Sequence, residues 1–216
     1  MTLLSLIELW IGRIGGAGIL LCLAIIFFGI FKGIRRFDST PQQKYIWLLR
    51  SPLFYLVASA AFFWFCWQIW RPLPFSPSLP VRVVSLIIGT PLLFTGIGLI
   101  LWGRFSLGSE YFVSTGRQAA LFSDHRLITS GAYALVRHPM YLGILLVGLG
   151  GLLLYRTWTM VFISLMYFGL RVRARREEEA LEPAFGIQYH TYQDSVPPWF
   201  PKIRLSEAKI TKSKNN

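Results

Sequence analysis

Ionisable and aromatic side chains gather in two short stretches of this 216-residue chain. The first contains Arg137-His138-Pro139. The second runs through Arg171, Arg173, Arg175 and Arg176 into Glu177, Glu178 and Glu179, ahead of Tyr189, His190 and Tyr192. A histidine takes or gives a proton near neutral pH. Arginine holds carboxylates and phosphates, and a carboxylate cluster holds an ammonium group. Arg173 and Glu177 stand four residues apart, as do Arg175 and Glu179, so each pair shares one helix face. Between the two stretches lies a mostly apolar segment long enough to enter a bilayer and return. That return sets the Arg-His pair and the Glu cluster on the same membrane face, where together they make a chemical site. Singly, the same residues have plainer readings. Arg137 beside a span snorkels to phosphate, the Arg/Glu run is a solvated helix end, and His190 is a solvated surface residue. Tyr189 and Tyr192 are interface anchors or a cover for a flat ligand.

The elements that must position these residues are membrane helices. The chain is 54% hydrophobic and only 15% charged, with a mean hydropathy of +0.50. Apolar runs of about 20 residues recur, the length that crosses a bilayer. The expected class is all-α and multi-span, in one domain over residues 1–205, with a disordered basic tail at 206–216. Spans are expected from about Ile14 to Ile34, Pro52 to Trp70 and Val81 to Trp102. Pro91 is a possible kink in the third. The stretch Tyr141 to Leu170 is too long for one helix, and Arg156-Thr157 divides it into a helical hairpin, for five spans in all. Gly15, Gly16, Gly18, Gly29 and Gly33 would let another helix approach the first span, most simply for internal packing. The first run has no basic region before it and no cleavage site after it, so it reads as a retained span.

Charge placement supports an odd number of spans. The first link carries Lys32, Arg35, Arg36, Lys44 and Arg50, and the third carries Arg104, Arg117, Arg126 and Arg137. The second has only Arg71 and Arg82, and the hairpin tip only Arg156. By the positive-inside rule the N-terminus lies outside, and the basic links and the C-terminus lie in the cytoplasm. The third link and the C-terminal helix would then build a cytoplasmic cap. The net charge of +12 fits anionic headgroups, and no nucleic-acid module accompanies it.

Several other chemistries are absent. There is no G-x-S-x-G, H-E-x-x-H or P-loop, and no dinucleotide-binding glycine motif. The three histidines are scattered, and Cys22 and Cys66 sit inside apolar runs as small buried residues, so no metal site is expected. A transporter would show paired halves and ionisable residues in mid-span. Neither is visible.

The sequence L-I-T-S-G-A-Y-A-L-V-R-H-P-M-Y-L-G, followed by E-E-x-x-L-x-x-x-F-G-x-x-Y-x-x-Y from Glu177 to Tyr192, resembles the isoprenylcysteine carboxyl methyltransferases and the related phospholipid methyltransferases. The resemblance spans about Gln118 to Pro201, and the first three spans show nothing comparable. It implies an integral membrane enzyme that uses S-adenosyl-L-methionine on the cytoplasmic side, under a lid made by the C-terminal segment. Carried over by position, the cofactor contacts are Gln118, His125, Arg126, Leu127, Ile128, Tyr133, His138, Pro139, Met140, Tyr141 and Glu177. Arg126 and Met140 fall where the family varies. Arg173 is the substrate-facing arginine, and Arg173 and His138 carry the chemistry.

The implied partner is a lipid or lipidated acceptor, preferably an isoprenylcysteine-like carboxylate. Phosphatidylethanolamine or another apolar molecule is the alternative. Glu177 would pair with the cofactor's ammonium, and His138 or a nearby N–H with its carboxylate. A carboxylate acceptor needs only a cation, which Arg173 supplies. An amine needs a base, with His138 and the Glu cluster as candidates.

Overall fold

A computed structural model describes residues 2–34, 51–108 and 126–201. Gln118, His125, the link 35–50 and the basic tail 206–216 lie outside the described residues. The described chain is helical: α1 (Leu3–Ile34), α2 (Pro52–Gln68), α3 (Leu79–Leu107), α4 (Pro139–Tyr155), α5 (Trp158–Phe185) and α6 (Ile187–Ser195), with a 3-10 turn at Gly131–Ala134. Among the described residues there is no strand, only an isolated antiparallel bridge between Pro72 and Thr157. Prolines open α2, α3 and α4 in their first turns, where a missing N–H costs nothing.

Glycine decides the centre of the bundle, where α3 and α4 make the most extensive helix contact. A Cβ on Gly96 would stand 2.7 Å from the Gly143 carbonyl oxygen, and one on Gly143 2.7 Å from that of Gly96. The two backbones can touch only because neither residue has a side chain. Gly89 and Gly150 repeat the arrangement two turns away. α1 lies against α3, with Gly15 facing Leu93 and Gly18 facing Ile97. Cys22, Leu93, Ile97, Ile100 and Val147 form the buried centre. Gly15 and Gly18 therefore serve internal packing, and Cys22 is a free buried thiol.

α1 begins at Leu3, well before the expected Ile14. The added turns contain Glu8 and Arg13, and both charges are partnered. Glu8 pairs with Arg82 on α3 and at 3.5 Å with Arg156, while the Arg13 guanidinium lies 5.7 Å over the Trp10 ring. α1 over Leu3–Gly29 and α3 are each long and apolar enough to cross a membrane, whereas α2 and α4 are shorter apolar helices. α4, at 17 residues, is about 25 Å long. Leu20, Phe28, Trp64, Trp67 and Ile87 are exposed on the outside of these helices, a dispersed apolar surface suited to acyl chains.

The break between α4 and α5 falls at Arg156-Thr157, as its sequence indicates. Arg156 takes the left-handed conformation, φ 52° and ψ 47°, which is uncommon for a side-chain-bearing residue. Its surroundings hold it there. The Arg156 carbonyl accepts the Leu73 N–H at 2.8 Å, and the Trp158 N–H reaches the Arg71 carbonyl at 3.1 Å. α2 rests on α5 through the Phe65 and Phe162 rings, 5.1 Å apart, and through a 2.8 Å bond from the Thr159 hydroxyl to the Cys66 carbonyl. Pro91 lies inside α3 without ending it.

Candidate active site

The hairpin returns α5 to the N-terminal mouth of α4. α5 continues unbroken from its apolar half into the Arg/Glu run, so its carboxylates project from a rigid rod. Tyr141, in the first turn of α4, donates to Glu177 Oε1 at 2.6 Å. Arg173 Nε donates to the same oxygen at 3.0 Å, one helical turn away. All three residues are partly exposed, so the group stays open to a ligand.

Glu178 makes a second set of contacts. Successive helix residues point about 100° apart, so adjacent carboxylates meet different neighbours. Glu178 Oε1 lies 2.7 Å from His138 Nε2 and 3.3 Å from Arg137 Nε, the latter an ion contact without hydrogen-bond geometry. Burial pushes the Glu178 carboxyl up. The His138 hydrogen bond and the charges of His138 and Arg137 outweigh it and hold the group below its ordinary 4.5.

Rings enclose His138. Tyr141 is stacked at 5.7 Å and 12°, and Trp199 lies at 5.3 Å and 32°. Tyr167 meets Trp199 edge-on at 5.1 Å. Trp199 arrives on a strap fastened by main-chain bonds: the Arg137 N–H donates to the Pro197 carbonyl at 2.9 Å, and the His138 N–H to the Pro198 carbonyl at 3.2 Å.

Tyr189 and Tyr192 are neither headgroup anchors nor a ligand cover. They are 1% and 7% exposed and form a small core with Val196, against Leu127, Leu181 and Phe185. Their backbone turns at Gly186, φ 48°, which folds α6 back beside α5. The Tyr192 hydroxyl donates to the Tyr133 carbonyl at 2.7 Å. Burial foremost, then the charge of Glu178, push the Tyr189 phenol up to about 12, against the opposing pull of Arg137. His190 is exposed beside Glu182, as its sequence reading expects.

Of the sequence candidates, His138, Tyr141, Arg173 and Glu177 come together. Leu127 packs into the α6 core. Pro139 and Met140 pack on Gly103 of α3. Tyr133 is tied in through its carbonyl, Ile128 is half-buried and Arg126 exposed. Sequence reading missed Trp199 and Tyr167, and it placed Glu178 in the Glu cluster without a role of its own. The Glu-Glu pair itself signals Glu178. Pro197-Pro198 signals a stiff strap that would fix Trp199, and nothing local marks Tyr167.

Comparison with known proteins identifies similar sequences. Residues 83–183 match the isoprenylcysteine carboxyl methyltransferase (ICMT) family. The match begins in α3, upstream of both sequence motifs, so α3 and its glycine contact with α4 belong to the shared region. Over 135 residues the chain is 37% identical to a protein-S-isoprenylcysteine O-methyltransferase of Schizosaccharomyces pombe, covering 59% of this chain and 55% of that one. It is 30% identical over 119 residues to the protein of the same name in Mus musculus, covering 51% and 41%. It is 31% identical over 160 residues to methanethiol S-methyltransferase 1 of Bradyrhizobium diazoefficiens, covering 67% and 53%. The chain spans about half the length of these curated relatives. Over residues 83–183 it is similar to the isoprenylcysteine carboxyl methyltransferase family.

Proposed function

We propose that the chain is an S-adenosylmethionine-dependent methyltransferase acting on a lipid-borne acceptor where membrane meets cytosol, and that the preferred acceptor is the carboxylate of an isoprenylcysteine-like group. The observation that carries this reading is the meeting of Arg173, Glu177 and Tyr141 at the mouth of an apolar hairpin. The residues present fit the cofactor's chemistry, since its amino-acid end is a zwitterion. Glu177 suits the ammonium, the neighbouring cations suit the carboxylate, and the flat faces of His138 and Tyr141 suit a nucleoside. When bound, the cofactor supplies an electrophilic methyl group on sulfur. Arg173 binds and orients the acceptor carboxylate, which needs no base. The strap carrying Trp199 shields His138 from water.

The same reading includes five spans, with the N-terminus outside and the site cytoplasmic under a cap built on α6. It is supported by the alternation of basic and poor links, by the helix break at Arg156 and by two helices of spanning length. A second reading, favoured by the likeness to a methanethiol S-methyltransferase, has a small apolar thiol as acceptor.

Calorimetry with S-adenosylhomocysteine tests the cofactor and its site. Binding by the wild type and its loss in Glu177→Ala, with folded protein retained, is the expected result. No binding by a folded wild type ends the methyltransferase reading. Product chemistry then distinguishes the acceptors, because a methyl ester is cleaved by base and a thioether is not.

A further inference from the structure

Glu177 and Glu178 are adjacent, yet Glu178 touches neither Arg173 nor Tyr141 in the contacts described above. Its carboxylate is committed to Nε2 of His138. A carboxylate can only accept at this distance, so a neutral His138 must carry its proton on Nε2 and leave Nδ1 bare. Neighbouring rings hold the plane of the imidazole. The His138 N–H is bonded to Pro198, and Tyr141 and Trp199 lie against the imidazole. The ring is 8% exposed. Among the described residues, no hydrogen-bonding group reaches Nδ1. That atom is also not among the polar atoms sealed from solvent without a partner.

We propose that Glu178 is a positioning residue, which locks His138 as a hydrogen-bond acceptor presenting Nδ1 to the site. Arg137, on the same carboxylate oxygen, keeps Glu178 ionised and therefore an acceptor. The geometry then assigns His138 to a ligand group that donates a proton or a hydrogen bond, an ammonium or a protonated acceptor. The bond from Nε2 to the cofactor's carboxylate that sequence alone allows is already spent. The ligand side of this inference rests on the methyltransferase reading. The state of the ring does not.

Two measurements on the full chain in nanodiscs keep these apart. Nitrogen NMR of 15N-histidine-labelled protein at about pH 8, above the usual histidine range, reads the tautomer, with the signal assigned by its loss in His138→Gln. The wild type is expected to show Nε2 protonated and Nδ1 bare. Glu178→Gln is expected to show both tautomers, because an amide can accept or donate. Glu178→Asp, which keeps the charge, is expected to restore the Nε2 form. S-adenosylhomocysteine affinity should fall about 10–100-fold in Glu178→Gln, the usual range for an orienting partner. The double variant with His138→Gln should bind no more weakly than His138→Gln alone.

A wild type protonated at Nδ1, or an unchanged tautomer in Glu178→Gln, overturns the proposal. So does additivity in the double variant, or an affinity change below twofold. If the folded wild type binds no S-adenosylhomocysteine, the methyltransferase reading falls while the tautomer still decides the role of Glu178.

Discussion

The Tyr141 hydroxyl and the Glu177 carboxylate meet at 2.6 Å from two helices whose chain positions differ by 36. Only the turn at Arg156-Thr157 brings them together, and Arg173 shares the same oxygen. A hydrogen bond to a charged group contributes about 1.5–3 kcal/mol. Tyr141→Phe removes that donor and keeps the ring against His138. S-adenosylhomocysteine should bind about tenfold more weakly to this variant by calorimetry, with the thermal midpoint close to wild type. Unchanged affinity would remove Tyr141 from the site.

Arg173→Ala should separate binding from turnover. It leaves Glu177 with Tyr141 and removes the cation proposed for the acceptor. S-adenosylhomocysteine affinity should stay within a few-fold. Methyl transfer to an isoprenylcysteine analogue should drop by about 100-fold, the scale on which one preorganised charge contributes. Persistence of both would assign Arg173 to helix packing alone.

The contact between α3 and α4 gives a stability test with an internal control. Gly143→Ala drives a Cβ against the Gly96 carbonyl and the Ile100 N–H, 3.0 Å away. Overpacking at such a point costs about 1–3 kcal/mol. A Cβ on Gly98 of the same pair's α3 meets nothing within 4 Å, so Gly98→Ala should be neutral or gain up to about 1 kcal/mol of helix propensity. Thermal unfolding in detergent should rank Gly98→Ala at or above wild type and Gly143→Ala below it.

Acid should weaken the seam between α5 and the mouth of α4 through Glu178. Its folded pKa is below the ordinary 4.5, so the native state favours the ionised form. That stability is present in full above 4.5 and is lost as pH falls through the depressed folded value. Glu178→Gln has no such proton to take up. Unfolding midpoints of wild type and Glu178→Gln should therefore differ at pH 7 and converge on acidification below about pH 4. A constant gap across that range would show that the ion contacts contribute nothing.

Much of this was legible in the chain because it depends on spacing. The i,i+4 relation puts Arg173 on Glu177, and Pro139 marks the start of α4. The single basic residue inside an apolar stretch marks the hairpin tip. What escaped depends on contacts between distant segments. α1 starts earlier than expected, and its added turns hold Glu8, whose partners Arg82 and Arg156 are far along the chain. Tyr189 and Tyr192 have the composition of interface residues, and only the fold-back at Gly186 buries them. Tyr167 and Trp199 meet through the strap, which no periodicity reveals.

The strap is held to the mouth of α4 by main-chain atoms on both sides, the N–H groups of Arg137 and His138 and the carbonyls of Pro197 and Pro198. Such a seam does not depend on which side chains the strap carries. Residues along it can be exchanged to reshape the wall over His138 while the main-chain fastening stays the same.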